Sequence, residues 1–151
     1  MKQIRFTKQG LEKLQRDYEE IKSQRKFAVD DLQKARAMGD LSENGYYKAA
    51  RQKLSFIDSQ IRRFTATLKQ AIVIEGQNNS QYVDIGSMVT LISGNKEVVY
   101  NIVGDLESEP SKRKISLLSP IGIAIAGKKV GEKVEIVIPS GKITYTIKKI
   151  F

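Results

Sequence analysis

The sequence predicts an α+β protein: a long antiparallel helical hairpin, then a small, mostly antiparallel β domain with one short helix. Two observations predict it. In the first half, apolar residues recur at alternating spacings of three and four. In the second half they alternate, or run in short β-rich segments between turn signals. The change of period falls at Glu75-Gly-Gln-Asn-Asn-Ser80, a polar, turn-rich stretch. The expected division is therefore a helical domain over 1–75, a linker over 76–80 and a β domain over 81–151.

The first seam is Leu11, Leu14, Tyr18, Ile21, Arg25, Ala28, Leu32 and Ala35, a heptad stripe with one polar break at Arg25. Thr7 is a good N-cap for it. The second seam, Tyr47, Ala50, Leu54, Ile57, Ile61, Phe64, Leu68 and Ala71, keeps the alternation without a break. Between them Gly39 is suited to end a helix, and Asp40 or Ser42 to cap the next. Helices are expected near 8–37 and 43–73, each roughly 45 Å long at about 1.5 Å per residue. In the second half, strands are expected over 88–92, 97–103, 114–118, 132–138 and 142–147. Gly94-Asn95 and Pro139-Ser140-Gly141 supply turns, and Ser119–Gly127 holds a short helix with Pro120 near its start.

Composition narrows the function. The 151 residues include no cysteine and no histidine. Disulfides, thiolate zinc sites and hydrolases built on Ser-His-Asp or Cys-His are excluded by inventory. No apolar run of membrane-spanning length is present, and the N-terminus does not read as a signal peptide, so a cytoplasmic protein with no membrane partner is expected. The net charge is +9, with 16 Lys and Arg against 10 Asp and Glu in residues 1–75, and 10 against 7 in residues 76–151. Such a surface favours a polyanion or an acidic protein groove.

Carboxylate chemistry concentrates between the helices. Asp40 and Glu43 are three apart and can face the same way on one helical turn. One reading makes them a capping box, with Glu43 reaching back to the Asp40 backbone. The other makes them ligands of Mg²⁺, which is usually held by one or two carboxylates together with waters and phosphates. Two carboxylates would be half a site, completed by a partner that already holds metal and phosphate. Lys34, Arg36, Lys48, Arg51 and Lys53 flank them. An acidic point between basic flanks suits delivery of carboxylates to nucleic acid better than plain phosphate binding. Tyr46 lies off the seam and suits stacking on a base; Tyr47 lies on it.

Ala35-Arg36-Ala37-Met38-Gly39-Asp40-Leu41-Ser42-Glu43-Asn44 resembles the signature of the GreA/GreB transcript-cleavage factors, Ala-Arg-x-x-Gly-Asp-Leu-Ser-Glu-Asn. Tyr47, Ala49 and Ala50 continue it. Thr7, Gly10, Lys13 and Leu14 resemble the family's start. Ile102-Val103-Gly104, Ile115-Ser116, Ser119-Pro120-Ile121-Gly122 and Gly127-Lys128-Lys129-Val130-Gly131 match in the second half. The resemblance implies a coiled coil followed by an FKBP-like β domain. It implies a monomer that docks by the β domain, around Ser119, Pro120, Ile121 and Gly122, at the secondary channel of bacterial RNA polymerase. The coiled coil would enter the channel. Asp40 and Glu43 would help the polymerase cleave backtracked RNA near its 3′ end, by sharing the active-site Mg²⁺. Arg36, Ser42, Asn44, Lys48 and Arg51 would face the RNA or the channel, DNA being met only through the elongation complex. No cofactor of its own is implied. Ser119-Pro120-Ile121-Gly122 is closer to the GreA pattern.

This sequence departs from the family at four places. Tyr46 stands where an acidic residue is usual, Gly45 where alanine is, Ser59-Gln60 where Gly-Arg is, and Glu107-Ser108-Glu109 where Glu-Ala-Asp follows Gly104. These changes bear on cleavage strength more than on channel binding. They keep open a paralogue that occupies the same channel but inhibits or remodels the polymerase. Prolyl isomerase activity of the FKBP-like domain and an RNA-binding coiled-coil arm are more remote readings.

Overall fold

The computed structural model describes residues 2–39, 44–75 and 81–151. The chain divides into two compact units, one of residues 12–70 and one of residues 1–11 with 71–151.

The helical unit is built from α1 (Lys8–Arg36) and α2 (Gly45–Gln70). Both expected seams face each other. Tyr18 meets Phe64 with ring centroids 6.3 Å apart. Arg25 Nε lies 2.6 Å from Asp58 Oδ1, which answers the polar break in the first seam. The hydrogen bond from Arg25 to Asp58, together with the charge, pushes the Arg25 pKa up. Among the described residues of α1 and α2 only Ala28, Ala35 and Ile57 are fully buried. A two-helix seam has no second layer to cover it, so most of its leucines and isoleucines stay half-exposed.

The other unit holds a five-stranded sheet in the order β5-β4-β3-β7-β6. Its strands are β3 (Met88–Ser93), β4 (Lys96–Val103), β5 (Lys114–Ser116), β6 (Lys133–Ile138) and β7 (Gly141–Ile150). Within this sheet only β4 and β5 pair in parallel. The short helix α3 (Pro120–Ile125) contributes Ile125 to a core with Leu91, Ile102 and Ile147. The expected α+β class, the five strands of the sheet and the short helix are all present.

The expected boundary at 75 is redrawn. Ile4–Phe6 forms β1 and Ala71–Val73 forms β2, paired in parallel. Thus α2 ends at Gln70, not at 73, and the chain's first eleven residues fold with the β unit. Parallel strands require a long crossover, and here the helical hairpin supplies it. Side chains fasten this arrangement. Arg5 donates from its backbone N–H to Asp105 Oδ2 at 2.8 Å and from Nη2 to Asp105 Oδ1 at 2.9 Å. Burial pushes the Asp105 carboxyl up, but the Arg5 hydrogen bonds and positive charge outweigh it, and the pKa is lowered.

Glu107 acts beside it as a carboxylate cap imported from the sheet side of the unit. Its Oε2 accepts from the Thr7 and Gly104 N–H groups, each at 2.8 Å, and its Oε1 accepts from the Thr7 hydroxyl. Thr7 in turn accepts from Gly10 N–H at 3.1 Å, the N-cap role read from the sequence. A carboxylate at a helix N-terminus also suits the helix dipole. The site leaves no space for side chains at two glycines. A Cβ on Gly10 would lie 2.0 Å from Glu107 Oε1, and one on Gly104 would lie 2.0 Å from Glu107 Oε2.

Candidate functional site

The two ends of the hairpin turn are closed by one side chain. Asn44 donates from Nδ2 to the Ala35 carbonyl at 2.9 Å and accepts from the Tyr47 N–H at 3.1 Å. The first bond satisfies a carbonyl in the last turn of α1. The second caps the start of α2. The Tyr47 N–H lacks a helical partner by geometry, the Ala35 carbonyl also accepts from the Met38 N–H at 3.2 Å, and Asn is among the best N-caps. The cap of α2 was expected from Asp40 or Ser42; the residue at the cap is Asn44, and the helix begins at Gly45, not at 43. Asp40, Ser42 and Glu43 lie outside the described residues. Gly39, expected to end α1, has φ +112° with open space around it, a conformation that glycine reaches without strain.

Beside this clip the basic residues fall into two groups. Lys34 pairs with Asp30 at 2.9 Å, and that hydrogen bond raises its pKa. Lys53 approaches Asp31 at 4.0 Å. Arg36, Lys48 and Arg51 are exposed and make no ion pair with the described residues. The Arg36 guanidinium lies 6.0 Å from the centre of the Tyr47 ring, so Tyr47 both fills the seam and carries a cation. Tyr46 is exposed, as its place off the seam implies. The tip thus brings Arg36, Asn44, Lys48 and Arg51 to one end of the hairpin. Among the described residues, no cluster of three or more Asp, Glu, His or Cys side chains is placed to hold a metal.

A second candidate surface lies at α3. Ser119 is its N-cap: it accepts from the Gly122 N–H at 3.1 Å and donates to the Ser116 carbonyl at 2.7 Å. Pro120 takes the first helical position, where its missing N–H costs nothing. A Cβ on Gly122 would fall 1.9 Å from the Ser116 carbonyl oxygen. Ile121 packs against the core. All four residues singled out here from the sequence therefore have structural work. The exposed apolar side chains at this corner are Leu118 and Ile123, which sequence reasoning missed. Their signal was present but faint: each flanks the capped turn, and neither is needed by the core pattern.

Two family models account for the chain. "Transcription elongation factor, N-terminal" matches residues 4–73, and "Transcription elongation factor, GreA/GreB, C-term" matches residues 77–151. The chain belongs to the GreA/GreB family of transcription elongation factors. The first match runs from the first residue of β1 to the last of β2. Among its relatives, the transcription elongation factor GreA of Neorickettsia sennetsu is 42% identical over 151 residues, covering 97% of this chain and 95% of that one. GreA of Macrococcus caseolyticus is 38% identical over 143 residues, covering 93% and 90%. Of solved structures, GreA factor homolog 1 of Thermus thermophilus is 25% identical over 99% of each chain, with a TM-score of 0.47. No helix among the described residues is long and apolar enough to cross a membrane.

Proposed function

We propose that this GreA/GreB-family chain binds bacterial RNA polymerase at its secondary channel and stimulates the polymerase's own cleavage of backtracked RNA, without catalysing anything alone. The supporting observation is the Asn44 clip. It ties the end of α1 to the start of α2, so the segment bearing Asp40 and Glu43 is bracketed by fixed points. Binding geometry prepaid in this way is what positioning a catalytic group requires. Arg36, Lys48 and Arg51 are exposed and make no ion pair among the described residues, and they are suited to the RNA backbone. The donor set fits Mg²⁺ as half a site, since two carboxylates are the usual protein share. Asp40 and Glu43 would hold the ion jointly with the polymerase, and the ion would activate the attacking water. The chain carries no cofactor of its own in this reading, meets DNA only through the elongation complex, and works in the cytoplasm. Docking falls to the α3 corner. There Ser119, Pro120 and Gly122 shape the turn and Leu118 and Ile123 offer the apolar contact.

The test is Asp40→Asn with Glu43→Gln, assayed for cleavage of a backtracked complex across a Mg²⁺ titration. Both changes keep size and hydrogen bonding but remove the charges that hold the ion. The expected result is normal polymerase binding with most cleavage stimulation lost. In the single variants, partial recovery is expected at high Mg²⁺, as mass action refills a weakened site. Wild-type stimulation by the double variant would falsify the metal-sharing role. Channel binding without stimulation by the unaltered chain identifies the inhibitory paralogue instead.

A further inference from the structure

Two tyrosines stand side by side at the start of α2, in different surroundings. Tyr47 fills the seam and carries the Arg36 guanidinium 6.0 Å from its ring centre. Tyr46 is 74% exposed, and its ring meets no cation and no second aromatic ring among the described residues. Its place in the helix keeps that ring open. Tyr46 is the second residue of α2. Helical side chains lean toward the helix N-terminus, so the ring leans toward the end that the chain joins to Asp40 and Glu43. The residues three and four places on, which would lean over it, are Ala49 and Ala50. The bond from Tyr47 N–H to Asn44 Oδ1 holds the backbone on either side of it.

Helical phase separates this ring from the free cations. At about 100° per residue, Lys48 and Arg51 fall on one side of the α2 seam and Tyr46 on the other. Lys53, on the Tyr46 side, approaches Asp31 at 4.0 Å. A single strand of RNA carries phosphates along one edge and bases along the other. A strand crossing this end of the hairpin with its phosphates on Lys48 and Arg51 therefore turns its bases toward Tyr46.

We propose that Tyr46 is a stacking platform for an unpaired base of the backtracked RNA, and that it favours purines. The inference rests on the proposed role at the polymerase and adds to it a residue that binds the base. Chemistry selects the occupant. An uncharged, uncovered ring has no ion pair to offer a phosphate, but its π face suits any base. A carboxylate at this position would repel the strand, and Tyr46 does not. A purine has two fused rings and so covers more of the tyrosine face than a pyrimidine, which strengthens the stack.

Backtracked complexes that differ only in their extruded 3′ nucleotides, purine or pyrimidine, test this. A second set carries at the 3′ end a fluorescent purine analogue whose emission falls on stacking, and is kept without Mg²⁺ so that nothing is cleaved. The full chain should quench the analogue. It should also reach half-maximal cleavage stimulation at about threefold lower concentration on purine ends. Tyr46→Leu should abolish the quench, raise the half-maximal concentration on purine ends about fivefold or more, and bring the two kinds of end within about twofold of each other. Tyr46→Phe keeps the ring and should keep all three properties. Circular dichroism should be unchanged in both variants, because the side chain is exposed. A leucine variant that quenches and discriminates like the wild type overturns the proposal. So does one that loses stimulation equally on both ends with the quench intact, since that is a structural effect. Quenching through Tyr46 without any cleavage stimulation leaves the stacking role standing and removes the cleavage role. Stimulation indifferent to Tyr46 does the reverse, and a chain that does not bind the complex overturns both.

Discussion

Replacing Asn44 with alanine removes two hydrogen bonds at once, and their worth follows from what they satisfy. The bond accepted from Tyr47 N–H is an N-cap, and truncating such a cap to alanine costs about 1 kcal/mol. The bond donated to the Ala35 carbonyl adds about 0.5–1.5 kcal/mol for a part-buried acceptor. Together the loss is about 1.5–2.5 kcal/mol for the helical unit, since the two ends share one side chain. Asn44→Asp separates the contributions. It keeps the cap acceptor, but it sets a carboxylate against the Ala35 carbonyl, which then keeps only the Met38 N–H at 3.2 Å as a donor. The expected order of stability is Asn, then Asp, then Ala. The assay is amide hydrogen exchange at residues 37, 38, 47 and 48, beside global unfolding by far-ultraviolet circular dichroism. Protection should fall first at this end of the hairpin, because fraying needs only local opening. Cleavage stimulation should fall with it while polymerase binding persists. If alanine leaves exchange at these amides unchanged, the clip does not hold the tip, and the positioning argument fails with it.

Three further outcomes are expected. Gly104→Ala should destabilise the sheet-bearing unit by about 1–3 kcal/mol, since its Cβ would meet Glu107 Oε2 at 2.0 Å and the Arg5 carbonyl at 2.5 Å; a thermal midpoint equal to wild type would show that Glu107 swings clear at no cost. Asp105 has a lowered pKa in the fold, so its stabilisation is complete above the ordinary aspartate value of 3.8 and fades as pH falls through the lower, folded value. The stability gap between the wild type and Asp105→Asn should therefore be constant near neutrality and close in strong acid, and a gap that widens with acid reverses the assigned sign. Leu118→Ser with Ile123→Ser should weaken polymerase docking about tenfold with stability within about 0.5 kcal/mol of wild type, as exposed positions allow; unimpaired docking in a competition assay removes the α3 corner from the interface.

Much of this was legible in the residues. The two seams were readable because a heptad stripe repeats over eight positions, long enough to reject accident. The sheet was readable because Glu132–Ile138 alternates and Gly94 marks its turn. What escaped had either no period or no locality. β1 and β2 are three residues each, too short to display an alternation, and Ala71-Ile72-Val73 continues a helical stripe without a visible break. Asn44 was expected as a contact to the RNA or the channel and not as a cap, because its second bond reaches back nine positions to Ala35. Glu107 entered the sequence reading only as a departure from a pattern. Its partner Thr7 stands 100 residues away, and no window of sequence joins them.

That distant pairing explains why Thr7, Gly10 and Gly104 belong to one motif. A helix that starts beside a sheet must satisfy its first N–H groups within a crowded unit, where water is a poor substitute. Thr7 alone answers one of them, at Gly10. Glu107 answers the Thr7 N–H and hydroxyl, and it needs the Gly104 N–H to hold its carboxylate in place. For the carboxylate to come that close, neither glycine can carry a Cβ. The Arg5–Asp105 pair performs the same service one strand earlier, on β1. The long hairpin between β1 and β2 is thus a crossover whose entry is secured by carboxylates from the sheet side of the unit. Its own seam, with few fully buried residues, is left to carry the tip. Stability and delivery are assigned to different residues. A change at Glu107 should therefore act through the root of α1, and a change at Asn44 through its end.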